Sequence, residues 1–175
     1  MDRLENPARR RLFRGKLTHK PELRLPWVID EAVFTRGCDQ CLDCITSCET
    51  QIIVRDEQGF PKIDFSKGEC TFCQQCISSC EKPLFKPQAL RDPEQDTPWP
   101  VSLDINNKCL AKNEIYCRSC QDACETRAIT FRYFDTSIAK PELNLADCTQ
   151  CGACIATCPQ DSLSFTFISE AANAQ

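Results

Sequence analysis

The sequence holds one histidine, five glycines, one methionine, two tryptophans and two tyrosines in 175 residues. Each shortage removes a class of function. A Rieske centre needs two histidine ligands, so His19 alone excludes it. Set among Arg and Lys, His19 reads as an exposed residue. The few glycines complete neither a phosphate-binding loop nor a dinucleotide fingerprint, and no Ser, His and Asp have a spacing suited to nucleophilic catalysis. The chain is therefore read as no enzyme but as a mover of electrons. No apolar run reaches the length of a membrane-spanning helix, and none of the length of a signal peptide's core follows the basic start. The expectation is a cytoplasmic protein that does not span a membrane. Large apolar side chains are too few for two thick cores, and small domains with thin cores are usually held by disulfides or metals.

What is plentiful is cysteine, at sixteen residues. In a reducing compartment such a chain is more readily metal-bound than disulfide-bonded. The cysteines fall into four runs. Cys38, Cys41, Cys44 and Cys48 form the first, Cys70, Cys73, Cys76 and Cys80 the second, and Cys148, Cys151, Cys154 and Cys158 the fourth. All three read C-x2-C-x2-C-x3-C, the ligand spacing of bacterial ferredoxins. The third run, Cys109, Cys117, Cys120 and Cys124, keeps the last three positions and sets the first apart by a five-residue insertion. Zinc sites instead pair two C-x2-C knuckles across a longer spacer. All sixteen cysteines are thus expected to be iron ligands of four 4Fe–4S clusters, with the run opened by Cys109 the most labile.

The tight spacing aims three thiolates at one cube, while the fourth lies a helical turn away and, in two-cluster ferredoxins, ligates the other cluster. The expected sets are Cys38, Cys41, Cys44 and Cys80 (A), Cys70, Cys73, Cys76 and Cys48 (B), Cys109, Cys117, Cys120 and Cys158 (C), and Cys148, Cys151, Cys154 and Cys124 (D). Closure of each run on its own cluster is the alternative.

The chain also repeats itself. Cys48-Glu49-Thr50 recurs as Cys124-Glu125-Thr126, and each is succeeded by an apolar strand, a turn, a second strand and another run. Residues 52–55 and 61–65 are expected to form one hairpin, and residues 129–133 and 143–145 another. The fold class is α+β: tandem bacterial-ferredoxin-like units, two βαβ-type dicluster domains, small, irregular and stapled by clusters. The divisions are a basic arm over 1–31, a first unit over 32–88, a Pro-rich linker over 89–100, a second unit over 101–168 and a frayed tail over 169–175. A further strand is expected over 101–105, and a short helix near residues 7–12. Ile45, Ile77 and Ile155, each after a third cysteine, are expected to wall the clusters from water. Gly152 stands between two ligands without being required there. Glu49, Glu81 and Glu125 occupy the place where Pro159 follows the fourth run, and are read as solvated.

Charge is uneven. Residues 1–24 carry eight Lys or Arg against three acidic residues, so this arm is +5 in a chain of −4 and the rest is −9. Four clusters bound through thiolates bring the body to about −17. Such a body repels nucleic acid, so the basic arm is read as docking a protein partner. Arg9-Arg10-Arg11-Leu12-Phe13 has the look of a twin-arginine export signal. The residues after it, however, include Arg14, Lys16, His19, Lys20, Pro21, Glu22 and Arg24 and form no apolar stretch, so Arg9, Arg10 and Arg11 are assigned to docking.

Taken together, these motifs resemble the NapF family, the ferredoxin-type accessory proteins of periplasmic nitrate reductase systems. The resemblance rests on Arg9 to Gly15, Pro26-Trp27, Cys44 to Glu49, Gly59-Phe60-Pro61, Cys109-Leu110-Ala111, Cys117 to Asp122 and Cys124-Glu125. Generic ferredoxins lack the odd third run. Glu81 departs from the proline that relatives often carry after run two, with Pro83 two residues on. The resemblance implies a cytoplasmic iron–sulfur protein that meets the catalytic subunit of the nitrate reductase before its export. It also implies a role in that subunit's maturation, by cluster assembly or reduction. A general soluble electron carrier, or an electron-transfer subunit of a membrane oxidoreductase, is the alternative.

Overall fold

A computed structural model describes residues 22–87, 96–134 and 137–168. The expected helix near residues 7–12, Arg9, Arg10, Arg11, His19, most of the Pro-rich linker and the tail lie outside the described residues.

The described chain is a mixed assembly of short helices and two-stranded sheets, in keeping with the expected α+β class. Helix α1 (Glu31–Gly37) starts at Asp30, whose carboxylate accepts from the Val33 N–H at 2.7 Å. Three single-turn helices follow the pattern of the cysteines: α2 (Asp43–Thr46), α3 (Gln75–Ser78) and, later, α4 (Ser119–Asp122), with α5 (Ala153–Ala156) the fourth of the kind. Between α2 and α3 strands β1 (Ile53–Arg55) and β2 (Pro61–Ile63) pair antiparallel, as the sequence led one to expect. Asp56 closes their turn by accepting from the N–H groups of Gln58 and Phe60.

The C-terminal half opens on β3 (Val101–Ile105), which pairs antiparallel over its whole length with the last strand, β6 (Leu163–Phe167). Inside that pair lies a hairpin of β4 (Ile129–Arg132) and β5 (Lys140–Leu143). The second strand of this hairpin sits earlier than the expected 143–145. Asn144 ends it: its side chain accepts from the Ala146 N–H and starts a 3-10 turn over Leu145–Asp147. Leu145 is consequently turned out to solvent rather than paired. In the N-terminal half an isolated antiparallel bridge, Val28 with Phe85, stands where the outer strand pair would be.

Two apolar clusters fill the interior. One gathers Leu25, Trp27, Phe34, Ile52, Ile53, Ile63, Phe65, Ile77, Leu84, Trp99 and Val101. The other gathers Leu103, Ile105, Ala111, Ile129 and Leu163. Ile155 and Phe165 pack against both. Aromatic edges join the halves, with Phe65 meeting Trp99 at 5.5 Å and Phe165 at 5.3 Å between ring centroids, while Trp27 meets Phe72 at 5.9 Å within the N-terminal half. Such edge-to-face pairs add about 0.5–1.5 kcal/mol each beyond the area they bury.

The boundaries of arm and linker therefore fall elsewhere than the composition suggested. Residues 22–31 are built into the first cluster, with Trp27 fully buried in a left-handed backbone (φ 57°) that ordinarily costs a residue about 1–2 kcal/mol. At the far end of the Pro-rich stretch, Trp99 is buried too, and its indole N–H donates to the Arg24 carbonyl at 2.7 Å. Arg24, counted from sequence as part of the basic arm, is only 5% exposed. Its guanidinium donates to both oxygens of Glu31, to Asp56 at 2.9 Å and to the Pro61 carbonyl. The rings of Phe34 and Phe60 sandwich it. Asp56 is 3% exposed at its side chain. Burial pushes its carboxyl up, yet the hydrogen bond from Arg24, then those from the N–H groups of Gln58 and Phe60, bring it below the ordinary carboxylate range.

Removing one partner from such a pair strands the other charge inside. Arg24→Met is expected to destabilise the fold by about 3 kcal/mol, read as a drop in unfolding temperature of the anaerobic protein, whereas Lys62→Met, whose pair with Glu22 is half-buried at the surface, is expected to change it by less than about 1 kcal/mol.

Candidate metal centres

The three regular runs share one backbone device. The residues on either side of the second cysteine are left-handed: Gln40 and Leu42, Phe72 and Gln74, Gln150 and Gly152. Alternating backbone of this kind turns successive N–H groups toward one concave side, a shape that receives anions. The third cysteine then rides a single helical turn, as Cys44 in α2, Cys76 in α3 and Cys154 in α5. Cys120 in α4 does the same for the irregular run. After the fourth cysteine, Gln51, Arg127 and Asp161 are left-handed in turn, and strands β1, β4 and β6 follow. The corresponding place after Cys80 is Pro83, whose ring forbids that backbone, and there the chain makes only the Phe85 bridge.

The insertion in run three is not slack. A 3-10 turn over Ala111–Asn113 fills it, and Ala111 is fully buried. The Asn113 amide donates to the carbonyls of Asn107 and Cys109 at 2.7 and 2.8 Å. Lys112 donates to the Ile105 carbonyl, and Glu114 pairs with Lys140 at 3.0 Å. Cys109 is buried.

The structure brings the cysteines together three from one run and one from another. Cys38, Cys41, Cys44 and Cys80 line one cavity of about 360 Å³, counted with the solvent open to it, beside Leu25, Phe34 and Leu84. Cys109, Cys117, Cys120 and Cys158 line a second, of about 310 Å³, with Phe131 and Leu163. Mutual charge reports the same groupings. Burial and then the nearby Cys38, Cys41 and Cys80 push the Cys44 thiol up to about 12. Burial, Cys109, Cys117 and Cys158 do so for Cys120. Cys76 is held at about 12 by burial and by Cys70, Cys44, Cys48 and Cys73, and Cys154 by burial and by Cys151, Cys148, Cys120 and Cys124. Cys48 thus lies with Cys70, Cys73 and Cys76, and Cys124 with Cys148, Cys151 and Cys154. Among the described residues no three Cys, His, Asp or Glu converge tightly enough for one metal ion. The first two sets ring a void instead.

These donor sets fit iron–sulfur clusters. Soft thiolates suit iron, the four-thiol sets are spread too widely for a single ion, and thiols that cannot ionise alone ionise when bound metal supplies positive charge. Polar groups at the sulfurs complete the fit. The Thr50 hydroxyl lies 3.6 Å from Cys48 Sγ and the Thr126 hydroxyl 3.7 Å from Cys124 Sγ, which accounts for the repeated Cys-Glu-Thr. The intervening Glu49 and Glu125, like Glu81, are exposed. Ile77 is buried within α3, and Ile45 and Ile155 are partly buried against the apolar clusters that take in the third cysteines.

Two features escaped the sequence reading. Ser162 is 1% exposed; its hydroxyl lies 3.2 Å from Cys158 Sγ and its N–H donates to the same sulfur at 3.3 Å. Burial alone raises Cys158, but these two bonds and the N–H groups of Gln160 and Leu163 bring it below the ordinary thiol value. The signal was present in the repeat: Ile52, Ala128 and Leu84 occupy the same place after the other last cysteines, and only here is it a hydroxyl. The second is Gly152. Leu42 and Gln74 share its left-handed backbone, so conformation alone does not demand glycine, but a Cβ at Gly152 would run into the Phe65 ring.

With this geometry in hand, comparison with known proteins is informative. Residues 115–162 match the family described as the 4Fe-4S dicluster domain. The chain is 37% identical to the ferredoxin-type protein NapF of Haemophilus influenzae, over 91% of this chain and 94% of that one. It is 38% identical to the ferredoxin-type protein NapF of Escherichia coli K12, over 83% of this chain and 85% of that one. A third relative is a subunit of an ion-translocating oxidoreductase complex from Methanosarcina acetivorans, 33% identical over 74% of this chain but 47% of that protein. No helix among the described residues is long and apolar enough to cross a membrane.

A hydrogen bond to a cluster's sulfur favours the reduced, more negative state. Ser162→Ala is expected to lower one of the protein's midpoint potentials by about 50 mV, the one-electron equivalent of roughly 1 kcal/mol for a lost bond to charge. Potentiometric titration followed by EPR measures it, and an unchanged set of potentials would remove Ser162 from the site.

Proposed function

We propose that this chain, which belongs to the NapF family of ferredoxin-type proteins, holds four 4Fe–4S clusters in two tandem ferredoxin-type units and serves the maturation of a periplasmic nitrate reductase. The observation that carries it is the three-plus-one gathering of cysteines about cavities, repeated in both halves. Cys38, Cys41, Cys44 and Cys80 would hold one cluster and Cys48, Cys70, Cys73 and Cys76 the next. Cys109, Cys117, Cys120 and Cys158 would hold a third, and Cys124, Cys148, Cys151 and Cys154 the fourth. Such clusters, once bound, take up and release single electrons. The chain's own part is to supply sixteen thiolates, to place the hydroxyls of Thr50, Thr126 and Ser162 at three of them, and to keep water off with Ile45, Ile77 and Ile155.

The partner is the catalytic subunit of the nitrate reductase, met in the cytoplasm before export, and the basic residues Arg9, Arg10 and Arg11 dock it. Support comes from the family and from charge. A body that the clusters make strongly acidic gains nothing as a simple carrier from a cluster of arginines at one end. The resemblance to an oxidoreductase complex subunit supports a second reading, an electron-transfer subunit.

Two measurements test this. Anaerobic analysis is expected to give about sixteen iron and sixteen labile sulfide per chain; zinc without sulfide would overturn the cluster assignment. The unexported catalytic subunit is expected to be captured by the full chain and lost when residues 1–21 are removed. The cut belongs at 21 because Arg24 and Leu25 are part of the core. Capture by neither form would leave electron transfer as the function.

A further inference from the structure

Cys151 joins the halves. The Cys70 N–H donates to the Cys151 carbonyl at 2.8 Å, a backbone bond between the second run and the fourth. Of the residues flanking Cys151, one is fixed to the segment that opens its own half and the other against the N-terminal half's core. On one side the Gln150 side chain accepts from the Trp99 N–H at 3.2 Å and donates to the Val101 carbonyl at 2.6 Å. On the other, Gly152 lies under the Phe65 ring with no room for a side chain. Within the N-terminal half the helices of Cys44 and Cys76 pack together, and the hydroxyls that follow them, Ser47 and Ser79, meet at 3.1 Å. Within the C-terminal half the helices of Cys120 and Cys154 pack in the same way.

We propose that the four cysteine sets form one unbranched row in the order A, B, D, C, whose middle step crosses between the halves at Cys70 and Cys151. This rests on the assignment of clusters above. The contacts all run in this order: A touches B through α2 and α3, B touches D through Cys70 and Cys151, and D touches C through α4 and α5. The charges felt by the cysteines agree, since Cys44 acts on Cys76, Cys151 on Cys70, and Cys120 on Cys154. Sets A and C are the two ends. A ferredoxin-type pair ordinarily ends at its second cluster; here the Cys70–Cys151 backbone bond and the bare Gly152 under Phe65 bring the inner set of each pair together. The duplication thereby becomes one connected array rather than two separate carriers.

The full-length chain tests the row through magnetic coupling. Cys41→Ala with Cys117→Ala removes the end sets and leaves B and D. Cys73→Ala with Cys148→Ala removes the middle sets and leaves A and C. Iron analysis is expected to give about eight per chain in both. After anaerobic reduction, EPR is expected to show a broadened spectrum of two interacting spins in the first variant and the simple sum of two isolated spectra in the second. Equal coupling in both, or coupling in the second alone, overturns the row. Where a double variant loads less iron, the single variants decide. Cys73→Ala is expected to abolish the coupling between halves and Cys41→Ala to leave it, and the reverse overturns the order. A wild-type chain with far fewer than sixteen iron would instead fail the cluster assignment itself.

Discussion

Four thiols gathered inside a protein cannot all ionise without positive charge among them. Burial and mutual repulsion hold Cys44, Cys70, Cys76, Cys120 and Cys154 up to about 12. Such a group is either an expensive nest of neutral thiols or a site that waits for iron. Much of the fold follows from keeping these groups together. In the three regular runs the left-handed residues beside the second cysteine aim it. The single-turn helices lift the third cysteine to the same void, and the fourth cysteine of each run is delivered to the neighbouring set. Because each set borrows from its partner run, the two runs of a half are tied to each other, and the strands between them have only to span a short return.

Each half has its own apolar cluster, and a few residues join the two. The N-terminal cluster draws Trp99 and Val101 from beyond the Pro-rich stretch, and Ile155 and Phe165 pack on both clusters. Trp27, itself in a left-handed backbone, donates its backbone N–H to the Pro98 carbonyl. The rings of Phe65, Trp99 and Phe165 stand along this seam. Arg24 braces the same region from the other side, tying α1 to the β1–β2 turn through Glu31 and Asp56.

The sequence disclosed the cysteine runs and their duplication because ligand spacing is a local property, written within eleven residues. The β1–β2 hairpin and β3 were legible for the same reason. β5 was misplaced by a few residues because Asn144, a capping residue, outweighed the apolar look of Leu143 and Leu145. Arg24 was misread because a cation is assigned to solvent by default, and only the fold brings Glu31, Asp56, Phe34 and Phe60 around it. Trp99 was hidden inside a segment whose prolines advertise a linker. Gly152 looked dispensable because its necessity lies in Phe65, far away in the chain. What composition missed was in each case a contact between distant segments.

The same distinction separates this chain from two ferredoxin-type units on a string. Were the halves independent, the residues beside Cys151 would be free to be any that the left-handed turn admits, as Leu42 and Gln74 are in the other runs. Instead one is a buried glutamine that bonds the backbone at Trp99 and Val101, and the other is a glycine that makes room for Phe65. The glycine is not needed to hold a metal, since Leu42 and Gln74 take its place beside Cys41 and Cys73. The glutamine ties the fourth run to the segment that opens its own half, and the glycine lets that run close on Phe65 of the other half. Ligand spacing accounts for where the cysteines stand, and this seam accounts for how the two halves are held in one molecule.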